Sequence, residues 1–248
     1  MTTDTRPVRP GPASARGRAA RRRAATWWLA VLAATTLVVL CVALRAYVPP
    51  DMATSRIPPR STPHYVLLVC HIFTAAVAVV TGLAQFWPRL RARHPAAHRW
   101  AGRAYFFAGV FPSAVLAVPV VGFAPTGFSN QLSLAVLDVL WVVTGIAGYR
   151  AARQRRYADH RRWMIRNFAL TLVAVASRLC QPVFEHAVAA QLHDPVAYAG
   201  DRLAAAHDIA TASAWFPLVL NLVVAEAWLR RRPRKTVGAA AAAARTVC

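Results

Sequence analysis

The chain has 248 residues, 57% of them hydrophobic, and its 30 Lys and Arg against 9 Asp and Glu leave a formal charge of +21. On a soluble domain such a charge would point to nucleic acid. Here the Arg residues stand in clusters between apolar runs of about 20 residues, the length that crosses a bilayer's hydrocarbon core, so the expected partner is a lipid bilayer and not nucleic acid.

Residues 1–25, "MTTDTRPVRPGPASARGRAARRRAA", show no apolar period and read as a loose basic tail. The first apolar run, about 26–47, follows "RRR" as a signal peptide would. Its stretch from Trp27 to Leu44 is longer than an h-region and no small-residue cleavage site follows, which predicts a retained span. Five more runs lie at about 64–87, 103–122, 131–149, 164–184 and 209–229. Residues 230–248 are basic and then Ala-rich, a second tail. The fold class expected is all-α: a polytopic membrane protein whose membrane domain, 26–229, is a bundle of six transmembrane helices.

The linkers alternate in charge. The N-terminal tail, the stretches 89–103 and 150–166 and the start of the C-terminal tail are rich in Arg; the intervening linkers hold only Arg56 and Arg60, none in 123–130, and Arg202. The positive-inside rule then predicts both termini in the cytoplasm of a bacterial cytoplasmic (inner) membrane. The basic face should attract anionic lipid headgroups at about 1 kcal/mol per nearby Lys or Arg.

Two basic stretches read almost alike, "HRWAGRAYF" at 98–106 and "HRRWMIRNF" at 160–168, and each leads into an apolar run. Arg that snorkels and Trp that prefers the headgroup layer explain part of the pattern as interfacial anchoring. The His is not an anchor. His98 and His160, at matched depth on different helices, have the residue type and placement to ligate one haem iron from both faces, with the surrounding Arg on its propionates.

Other ionisable groups lie within the runs. His71, Asp138 and Arg178 each sit roughly 10 Å inside the same end of spans two, four and five, a layer open either to a polar clamp built on an Asp138–Arg178 ion pair or to a small-molecule or proton site. Glu226, near the basic end of span six and beyond Asn221, is within reach of Arg103 or Arg166. His207 opens span six at the end nearer His71, which makes His71 and His207 the candidates for a second His pair. The His and carboxylates of 185–208 match no tight metal-ligand spacing, and no metal site is expected. Four Cys show no CxxC spacing, and no nucleophile–base motif or phosphate loop supports hydrolytic or nucleotide-driven chemistry.

The segments "HIFTAAVAVVTGLAQF" (71–86), "HRWAGRAY" (98–105), "HRRWMIRNFALTLVAVASRL" (160–179) and "NLVVAEAW" (221–228) together resemble an uncharacterised family of predicted bacterial multi-pass membrane proteins, a domain of unknown function, over roughly 64–229. That resemblance marks His71, Gly82, Gln85, His98, Arg99, Gly102, Arg103, Tyr105, His160, Arg161, Trp163, Met164, Arg166, Arg178, Asn221 and Glu226. It implies the membrane class and no particular activity. A looser similarity, to b-type di-haem transmembrane cytochromes, implies His ligands on a helical bundle and haem b as the cofactor; those proteins place their ligands deeper. Three functions stay open: haem-bound electron transfer through His98 and His160, transport or sensing through His71, Asp138 and Arg178, and a structural or partner-binding role.

Overall fold

The computed structural model describes residues 12–231, and all regular structure among them is helical. The long helices are α1 (Pro12–Leu44), α2 (Thr62–Phe86), α6 (Phe128–Arg153) and α9 (Arg202–Arg230); two short ones, α3 (Pro88–Arg93) and α4 (Pro95–Ala104), follow α2. A π-helical turn, Tyr105–Val110, joins α4 to α5 (Phe111–Gly122) in one continuous rod. Helices α7 (Tyr157–Thr171) and α8 (Val173–Ala189) are likewise nearly collinear, parted at Leu172. Six segments are long and apolar enough to cross a membrane: Thr26–Tyr47, Thr62–Phe86, Pro95–Gly122, Phe128–Arg153, Tyr157–Ala189 and Arg202–Arg230. Lipid offers no hydrogen bonds, so each crossing segment must close its own backbone, and only the helix does this alone.

The six expected spans are all present, but most of the helices overrun their apolar windows. The third begins at Pro95 rather than near residue 103, and the fifth at Tyr157 rather than near 164. Both basic-aromatic stretches therefore lie inside helices. Backbone satisfaction and the good helix propensity of Arg, Ala and Met carry the helix past the point where hydropathy falls. The same reason corrects the reading of 1–25 as a structureless tail, because α1 is helical from Pro12 onward. Residues 1–11 and 232–248 lie outside the described residues.

Local chemistry sets the ends and the breaks. Ser61 Oγ accepts from the His64 amide at 3.3 Å ahead of α2, and Asp201 accepts from the amides of Leu203 and Ala204 ahead of α9. Pro112 follows the π turn closely; it has no N–H to offer the carbonyl four residues back, and the wider turn accommodates that loss. Asn221 Nδ2 of α9 donates to Ala169 O at 3.0 Å, beside the α7–α8 break.

Around the bundle, α2 packs along the α4–α5 rod, α5 on α6, α6 on α7 and α9, α8 on α9, and α7 returns to α2. Helix α1 stands at the edge, touching α2 and α8. Backbone meets backbone at Gly109, where a Cβ would come within 2.8 Å of the Ala78 backbone on α2. The main core joins Ala78, Tyr105, Phe106, Val110, Trp141, Phe168 and Leu218, while Val115, Val118, Val139, Val219 and Val223 face outward, as a lipid solvent requires.

Candidate functional site

The centre of the bundle is polar. Tyr105, Asn167, Thr171, Trp141 and Thr144 are all buried, and their side chains form one connected set of hydrogen bonds. Asn167 Nδ2 donates to Trp141 O at 2.7 Å and to Thr144 Oγ1 at 2.8 Å, so Asn167 Oδ1 is the acceptor for Tyr105 Oη at 2.5 Å. The tyrosine's one proton is then used. Its oxygen accepts from Thr171 Oγ1 at 2.8 Å, a proton that Thr171 shares with Asn167 O at 3.0 Å, and Thr171 in turn accepts from Trp141 Nε1 at 2.9 Å. Thr144 closes the chain by donating to Leu140 O at 2.7 Å. Three spans are thereby locked together with every side-chain donor used. The sequence reading singled out Tyr105 only through the family resemblance and missed the other four. The available signal was Asn167 and Thr171, two polar residues one turn apart inside an apolar run.

This clamp sets the register of two parallel rods. Both the third and the fifth span rise from the basic end, and Tyr105 bonds Asn167 across them. His98 lies seven residues before Tyr105, and His160 seven before Asn167. Seven residues is about two turns, displaced by only about 20° and about 10 Å. Each His thus lies on the clamp-facing side of its helix, at a matched level, and the two interact electrostatically. His160 Nδ1 lies 2.9 Å from Gly148 O of α6; a carbonyl can only accept, so Nδ1 carries a proton and Nε2 is the ring nitrogen left for another partner. His98 Nδ1 is buried with no hydrogen-bond partner, while the His98 carbonyl accepts from Gln85 Nε2 at 3.0 Å.

The surrounding charge is basic, and each Trp of the two stretches supports an Arg. Arg103 stacks on Trp100 at 5.0 Å and Arg166 on Trp163 at 5.1 Å, and Arg161 lies over Trp228 at 5.8 Å. Arg91 and Arg99 act on His98 through space. Of the two partners expected for Glu226, Arg166 takes it, in a two-point contact of 2.5 and 3.1 Å. Asn221 acts as a bridge to the backbone of α7 rather than as part of the His site.

A family model described as "Predicted membrane protein (DUF2306)" matches residues 68–229. The chain belongs to this DUF2306 family. No curated protein and no solved structure matches it. The DUF2306 segment contains the clamp, both inner His, Arg166 and Glu226, and leaves out α1.

In this DUF2306 protein the other expected site residues do not converge. The Asp138–Arg178 pair is absent: the ion pairs among the described residues are Arg156–Asp159 and Arg166–Glu226. Asp138 is half-buried on α6, whereas Arg178 on α8 turns to α1, so equal depth did not bring them to one interface. His71 Nδ1 donates to Ser113 O of α5 at 2.9 Å, and His207 packs on Gly127, which has a φ of 82°, at the entry to α6. Each is engaged with a different neighbour. His64, a residue the sequence reading passed over, is buried at the far end with both ring nitrogens used: it accepts from the Arg60 amide at 3.1 Å and donates to Val120 O at 3.4 Å. No group of three or more metal-ligating side chains occurs among the described residues.

Proposed function

We propose that this DUF2306 protein is a haem-binding electron-transfer protein of the bacterial cytoplasmic membrane, in which His98 and His160 would hold one b-type haem at the basic end. The observation that carries the reading is the seven-residue step from each partner of the Tyr105–Asn167 bond to its His. A pair of imidazoles at one level on parallel rods is what a six-coordinate iron needs. The donor set fits the group: Gly148 O engages His160 Nδ1 and leaves Nε2 for another partner, and His98 offers a buried ring nitrogen without a partner. Arg91, Arg99 and Arg103 are the side chains for the propionates. Bound haem would supply one-electron carriage; the chain would orient the imidazoles and keep water from them. With Arg concentrated on alternate linkers, both termini are in the cytoplasm and the basic face meets anionic headgroups.

The test is the visible spectrum of the detergent-purified protein after haem loading, oxidised and then reduced. The expected result is a sharpened Soret band with resolved α and β bands on reduction, lost in both His98→Ala and His160→Ala while thermal unfolding stays cooperative. A spectrum unchanged in both variants, or a wild type that takes up no haem, rejects the assignment.

A further inference from the structure

A second site lies at the opposite end and is independent of the His pair. Between α1 and α8 runs a crevice of about 300 Å³. Val38 and Val42 form an apolar wall, Arg178, Pro182 and Glu185 line the α8 side, and Arg56 reaches in from the loop after α1.

The charges in this crevice are unbalanced. Arg178 sits roughly three turns before the end of α8, within a membrane-crossing segment, where an Arg facing lipid costs about 2.5–3.5 kcal/mol at the bilayer centre. Among the described residues it makes no hydrogen bond and no ion pair; Tyr47 is the favourable neighbour that acts on it, and Arg56, of the same sign, opposes it. Arg56 donates to Val42 O at 3.1 Å and also lacks an ion pair. Glu185, the one carboxylate in the lining, accepts from Gln181 Nε2 at 2.7 Å and pairs with neither Arg. Two guanidinium groups against one carboxylate leave a single positive charge beside an apolar wall, on a helix whose Val38 and Val42 are otherwise open to lipid.

We propose that the crevice binds an anionic phospholipid from the leaflet at this end, with its phosphodiester on Arg56 and Arg178 and an acyl chain along Val38 and Val42. A phosphodiester carries one negative charge, which matches the site, and its oxygens suit the planar guanidinium fork. A zwitterionic lipid brings an ammonium group that the two Arg repel. A free inorganic anion gains nothing from the valine wall.

The experiment is native mass spectrometry of the full chain released from detergent, with phosphatidylglycerol and phosphatidylcholine at equal concentration. Phosphatidylglycerol adducts are expected to dominate on the wild type and to fall about tenfold in Arg178→Gln and in Arg56→Gln, the loss expected for one charge-assisted hydrogen bond. Lipid at the basic end is common to all three proteins and cancels in the comparison. Arg56 is exposed in a loop, so its variant decides the matter even where Arg178→Gln folds poorly. Equal occupancy by the two lipids, adducts unchanged in Arg56→Gln, or displacement by inorganic phosphate alone would overturn the proposal.

Discussion

Tyr105 shows how much one hydroxyl carries when three helices meet on it. Its oxygen accepts from Thr171 and its proton goes to Asn167, so Tyr105→Phe strands the buried Asn167 Oδ1, while Thr171 keeps Asn167 O and Trp141 Nε1 as partners. Interhelical hydrogen bonds in membranes average only about 0.6 kcal/mol, because the unfolded helices find other partners. An unsatisfied buried group costs more, about 1–3 kcal/mol, and that effect dominates here because the cluster is sealed. Tyr105→Phe is therefore expected to lower the midpoint of thermal unfolding in detergent by about 4 °C. An unchanged midpoint would mean that the clamp does not hold the bundle. At this scale the sequence was uneven. The repeated surroundings of His98 and His160 drew attention to both. Asn167, Thr171 and Thr144 were not legible, since an isolated polar residue in an apolar run says nothing of its partner. The Asp138–Arg178 pair failed for a related reason: counting residues gives depth, but not the direction in which a side chain leaves its helix.

At the scale of the helices, the number and place of the spans were readable, and their ends and seams were not. The apolar runs marked every span, yet the π turn at Tyr105–Val110 and the break at Leu172 depend on what the neighbouring helices can satisfy. Gly109 identifies the seam where backbone meets backbone. A methyl there meets the backbone of Ala78, which cannot rotate away, whereas Gly122 has open space on all sides. Gly109→Ala should cost about 1–3 kcal/mol through overpacking and reduce the yield of folded protein on size-exclusion chromatography. Gly122→Ala should match the wild type. Equal behaviour of the two variants would show that α2 and the α4–α5 rod are not in close contact.

At the scale of the whole molecule, an even number of crossings returns the chain to its starting side, and the orientation proposed from the Arg distribution is that this side is the cytoplasm. A reporter fused at either terminus should read cytoplasmic, and one inserted in 123–127 should read external; any terminus reached from outside an intact cell contradicts the orientation. The sequence by itself determined the membrane class, the number of spans and the level of each ionisable side chain, because a bilayer imposes a length and a charge rule on any chain that crosses it. Which levels meet was decided only in the tertiary structure. Helix packing selects azimuth, and packing depends on small contacts such as Gly109 on Ala78 and Tyr105 on Asn167, whose two halves lie tens of residues apart. That selection set Tyr105 on Asn167 and turned Arg178 away from Asp138 toward the edge helix.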